Sequence, residues 1–118
     1  MTAPQLRPRR AQLDTYPDDC ITEGDTPHGY WWRYRHPHNQ PDVEIETAIC
    51  VAFQLADAEA RESGKTYLVA STPQPSLAVY VFACDHPDAR NPAINIMVEQ
   101  TPGGERIRRP GIRTAARH

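Results

Sequence analysis

Proline placement constrains this chain more than any motif does, because proline cannot donate to a β-ladder or continue a helix. Twelve prolines spread through 118 residues punctuate the chain, and the proline-free windows read as its main regular structure are 28–36, 42–72, 76–86 and 93–101. The first reads Tyr30-Trp31-Trp32-Arg33-Tyr34-Arg35, a run of high strand propensity. Strand alternation puts Tyr30, Trp32 and Tyr34 on one face and Trp31, Arg33 and Arg35 on the other. Burying an arginine pair without partners is costly, so Trp32 is expected in the core and Trp31 on the free face.

The second window predicts the helix. Residues spaced 100° apart place Ile45, Ala48, Ile49, Ala52, Phe53, Ala56 and Ala60 in one stripe, with Leu55 at its edge and Glu46, Gln54, Asp57 and Arg61 opposite. Pro41 suits a first helical turn, Asp42, Glu44 and Glu46 oppose the positive end of the dipole, and Gly64-Lys65 supplies a stop. Val43-Glu44-Ile45-Glu46 also alternates as a short strand does, so the helix starts either there or at Thr47. Four alanines on the stripe predict close approach to a sheet.

Thr66–Ser71 and Leu77–Cys84, separated by the turn-forming TPQPS, read as a hairpin whose second strand, apolar on both faces, is central. Residues 85–92 read as a loop, Ile94–Glu99 alternates again, and TPGG leads into a short edge strand, Glu105–Arg108. The expected fold is α+β: one amphipathic helix on a four- or five-stranded, mainly antiparallel sheet, in the order β-α-β-β-β. It divides as a proline-rich segment over 1–29, basic then acidic, a single domain over 30–108 and a basic tail over 109–118. A unit of about 80 residues is small enough to be marginally stable without a partner or a homodimer contact.

No stretch approaches the roughly 18 unbroken apolar residues of a membrane span. The basic first ten residues lack the apolar run of a secretory signal, so the cytoplasm is the expected location. Cys20, Cys50 and Cys84 form an odd set without a CxxC pair, and no disulfide is expected. Lys65 is the sole lysine among thirteen basic residues, a bias that suits a GC-rich bacterial genome or its phage. The net charge of −2 hides a segregation of basic ends from an acidic middle. Residues 1–12 and 110–118 combine arginine with proline or glycine and are expected to be mobile.

Three constellations bear on function. His36 and His38, Cys84 and His86, with His28 and Cys20, have metal-binding atoms, but their spacings match no zinc module and no metal or other cofactor is expected. Cys84 and His86 stand on the same side of a strand end, with no orienting acid or oxyanion donor to make them a nucleophile pair. No glycine-rich phosphate loop is present, and no catalytic residue is expected. The third is the Trp31, Arg33 and Arg35 face, since tryptophan and arginine concentrate at binding hot spots. The same strand would also suit a face covered by residues 11–29, its arginines paired with Asp18, Asp19, Glu23 and Asp25.

The function expected from these residues is non-enzymatic: an accessory or inhibitor protein, bacterial or phage, that occludes a protein partner through Trp31, Arg33, Arg35, Arg106 and Arg108. A nucleic-acid-binding accessory protein using the Trp/Arg strand and basic tails is the alternative, because aromatics stack bases while arginines hold phosphates. A small hydrolase or metal-dependent enzyme ranks third.

Overall fold

The computed structural model describes residues 20–36, 42–72 and 77–109. The ends expected to be mobile lie outside these residues, as do Asp18, Asp19, His38 and Pro41. Among the described residues the elements are β1 (Ile21–Thr26), β2 (Gly29–Arg35), α1 (Asp42–Ser63), β3 (Tyr67–Thr72), β4 (Ala78–Ala83), a 3-10 turn (Pro87–Arg90), β5 (Asn95–Gln100) and β6 (Arg106–Arg108). The strands form one antiparallel sheet in the order β1-β2-β4-β3-β5-β6, with the helix on one face. This is the α+β architecture expected, and β4 is internal as its two apolar faces require. Val43–Glu46 is helical, because α1 already begins at Asp42.

The sheet is wider than the four or five strands expected. Residues 21–26, assigned from the sequence to an N-terminal segment outside the domain, pair with β2 through six successive positions, from Ile21 opposite Tyr34 to Thr26 opposite Gly29. Their turn is built from Thr26-Pro27-His28-Gly29. The Thr26 hydroxyl donates to Gly29 O, and the His28 N–H donates to Thr26 Oγ1. Gly29 has φ +114°, and a Cβ there would collide with the Tyr67 hydroxyl, which accepts a hydrogen bond from the Tyr30 N–H. Only glycine meets both demands.

Strand order explains the two long connections. β2 and β3 are both antiparallel to β4, hence parallel to each other, and parallel strands need a crossover, which α1 supplies. β4 and β5 are likewise both antiparallel to β3, so residues 84–94 make a second crossover. The two step the same way across the sheet from oppositely directed strands, so with the single hand that parallel crossovers share they must lie on opposite faces. They do. Tyr30, Trp32, Tyr34, Tyr67, Val69, Val79, Val81 and Val98 pack under the helix, whereas Leu68, Ala70, Phe82 and Ile94 form a separate cluster beneath the second crossover.

The helix is seated differently from its expected stripe. Ala48, Ala52, Ala56 and Ala60 are fully buried, as close approach requires, but Val51, Leu55 and Glu59 are buried with them, while Ile49 and Phe53 are only half-buried. At 100° per residue the covered positions span about half the circumference, centred between Ala52 and Glu59 and so displaced toward Leu55 from the expected stripe. A broad six-stranded sheet covers a wider arc than the apolar residues alone mark out. Phe53 instead takes the Arg106 guanidinium over its ring, 4.4 Å from the centroid.

No helix among the described residues is long and apolar enough to cross a membrane.

Candidate functional site

The face opposite the helix carries the candidate site. Alternation along β2 buries Tyr30, Trp32 and Tyr34 under the helix, at 2 % exposure or less, and turns Trp31, Arg33 and Arg35 to the open side. Burying three large aromatics releases far more free energy than burying one tryptophan beside two charges, so the strand has one stable facing. From β1, Thr22 and Gly24 stand opposite Arg33 and Trp31; from β4, Tyr80 stands opposite Arg33.

These side chains form a chain of ring contacts. The Arg33 guanidinium carbon lies 5.7 Å from the Trp31 ring centroid, close enough for a cation–π contact. Trp31 meets Tyr80 edge-on at 6.0 Å, Tyr80 meets Phe82 at 6.3 Å, and Phe82 meets His86 at 5.6 Å. Trp31 is half-buried rather than free, because its Nε1 donates to Asp88 Oδ2 of the crossover at 2.9 Å. Arg33 donates from a terminal nitrogen to the Thr22 hydroxyl at 3.3 Å, while its Nε is buried with no hydrogen-bond partner among the described residues. Arg35 is exposed. Among the described residues no carboxylate pairs with either arginine.

Of the four acids expected to neutralise them, the two among the described residues, Glu23 and Asp25, do not. Glu23 and Asp25 stand opposite Trp32 and Tyr30, on the helix side, where the Tyr30 hydroxyl donates a hydrogen bond to Glu23 Oε1. Arg106 and Arg108 do not join the site either. They lie on β6, at the far edge of the sheet, opposite Gln100 and Val98, and so on the helix side. Arg106 donates to Gln100 Oε1, Gln100 Nε2 donates to Asp57 Oδ1, and Asp57 accepts from Arg61. Arg106 thus ties the edge strand to the helix. Strand order decided this, and no residue pattern encodes it.

Tyr80 and Asp88 were missed from the sequence. Tyr80 had a signal, since alternation through Ala78, Tyr80 and Phe82 defines one face of β4. Asp88 had none, because its role depends on where the crossover runs.

His86 caps the 3-10 turn: its Nδ1 accepts the Asp88 N–H at 3.0 Å, so that nitrogen is not free to activate the exposed Cys84 thiol. Its ring also meets His28 edge-on at 5.6 Å. His36 Nδ1 is 3.0 Å from the Tyr34 hydroxyl, and Cys20 is buried. Among the described residues no three His, Cys, Asp or Glu side chains are grouped to hold a metal ion.

No protein-family model, no curated protein and no solved structure matches this chain.

Proposed function

We propose that this chain is a non-enzymatic binding protein, an accessory or inhibitor protein of a bacterial or phage genome, whose open sheet face covers an acidic surface of a partner protein. The observation that carries this reading is Arg33: held over Trp31 with Arg35 exposed beside it, it offers a guanidinium that no carboxylate among the described residues neutralises. Guanidinium groups pre-positioned against aromatic rings lose little entropy when a carboxylate docks, which is what makes such clusters hot spots. Alternate residues on a strand are about 6.7 Å apart, so Arg33 and Arg35 match carboxylates at a similar spacing.

A protein is favoured over nucleic acid because the chain carries a net charge of −2 and Asp88 stands among the aromatics of the same face. Affinity capture from the source organism, followed by titration of the purified partner, tests this. Arg33→Ala with Arg35→Ala should weaken binding by about 2 kcal/mol or more, roughly thirtyfold. Unchanged affinity would reject the site. A steep fall in affinity between low and moderate salt, with nucleic acid as the captured ligand, would replace the protein reading with the nucleic-acid one, since phosphate binding releases counterions.

A further inference from the structure

A cleft of about 370 Å³ opens on the β3–β5 side of the second crossover, with that crossover between it and the Trp31 surface on β2. Its floor is Leu68 on β3, and Ala89 of the 3-10 turn forms an apolar wall. Thr66 and the exposed Cys84 stand at one end. The opposite rim is the Glu99–Arg109 pair, where Arg109 Nε donates to Glu99 Oε2. That pair is neutral overall. Arg90 also lines the cleft and has neither ion pair nor hydrogen bond among the described residues. The cleft therefore carries one uncompensated positive charge over an apolar floor. Its volume lies near the lower end of the range for small-molecule sites, about 300–1,000 Å³.

We propose that this cleft binds a small organic anion, with its oxyanion head on the Arg90 guanidinium and its apolar body over Leu68 and Ala89. A guanidinium offers planar, bidentate donors suited to carboxylate and phosphate heads alike. The apolar floor adds affinity only for a ligand with a hydrocarbon portion, because each buried methylene contributes about 0.8 kcal/mol. The site is independent of the partner-binding surface.

The test is a titration of ¹⁵N-labelled full-length protein with butyrate, n-butyl phosphate and inorganic phosphate, followed by amide shifts. Butyrate or butyl phosphate should give saturable shifts at Leu68, Ala89, Arg90 and Glu99, and whichever binds more tightly identifies the head group. Inorganic phosphate should bind several-fold more weakly than butyl phosphate, for want of methylenes to bury. Arg90→Ala, a change at an exposed position that leaves the core intact, should weaken the better ligand at least about tenfold, the scale of a lost charged hydrogen bond. Arg33→Ala should leave its affinity unchanged. In a Cys50→Ser background, saturating ligand should slow modification of Cys84 by a thiol reagent. Shifts that fail to saturate, that map elsewhere, or that persist unchanged in Arg90→Ala would overturn the proposal. Equal affinity for inorganic and butyl phosphate would remove the apolar floor from it.

Discussion

The Trp31 indole N–H donates to Asp88 Oδ2 across 2.9 Å, and this bond fastens the second crossover to β2, the sheet neighbour of the strand it leaves. Asp88 is also the residue whose backbone N–H is capped by His86, so the clasp and the cap meet at a single position.

Asp88→Ala should therefore loosen the crossover without unfolding the domain. Asp88 is partly exposed, and losing one half-buried hydrogen bond to a carboxylate should cost about 1–2 kcal/mol. Denaturant melts measure the cost, and amide exchange should quicken at Ala89–Ile94 while the strands under α1 stay protected.

Trp32 and Trp31 should separate clearly. Trp32 is fully buried, and Trp32→Ala should cost about 3–5 kcal/mol, enough to unfold so small a domain. Trp31→Ala should cost less, about 1–2 kcal/mol, because only part of the ring packs on the Leu68–Phe82 cluster and one hydrogen bond is lost. Trp32→Phe should be milder than its lost volume implies. It deletes an indole N–H that is buried without a partner among the described residues, and such a group is itself unfavourable by about 1–3 kcal/mol. Thermal melts of the three variants check the order.

Two glycines of the first hairpin should respond oppositely to alanine. At Gly29 the positive φ and the Tyr67 hydroxyl should make Gly29→Ala cost about 2 kcal/mol or more, with the Tyr30–Tyr67 bond broken. At Gly24 an added Cβ meets nothing within 4 Å, and Gly24→Ala should stabilise by about 0.5 kcal/mol through the unfolded chain. Urea midpoints give both values.

The Asp85 carboxyl is held below the ordinary aspartate value of 3.8, first by its hydrogen bond from the Lys65 ammonium. A depressed folded-state value stabilises the fold above the unfolded value and is lost as pH falls through the folded one. Asp85→Asn should flatten the acid limb of the stability curve below about pH 4. The group is fully exposed, so the difference should vanish in molar salt. Melts across pH at two ionic strengths test this.

Much of the fold was legible because proline-free windows and side-chain periodicity are local properties. The facing of β2, the hairpin of β3 and β4, and the short edge strand β6 all follow from alternation or turn residues. β1 was not legible by the same rule: between Pro17 and Pro27 it offers one large apolar residue, Ile21, and a central glycine. The turn Thr26-Pro27-His28-Gly29 did carry a signal, with proline at its second position and glycine at its fourth. The helix stripe was misplaced because Glu59 and Val51 are buried by the width of the sheet, which no helical pattern contains. At the site, the common face of Trp31, Arg33 and Arg35 followed from alternation, whereas the separation of Arg106 and Arg108 from them depends on strand order.

That order makes the molecule three hairpins laid side by side, joined along two seams. The β2–β4 seam is strapped by a helix of 22 residues, the β3–β5 seam by a short irregular segment. The second seam is also where the register slips, between Val69 and Ala70. An unzipping molecule should part there first, releasing β5 and β6 as a unit once the Arg106–Gln100–Asp57 tie to the helix lets go.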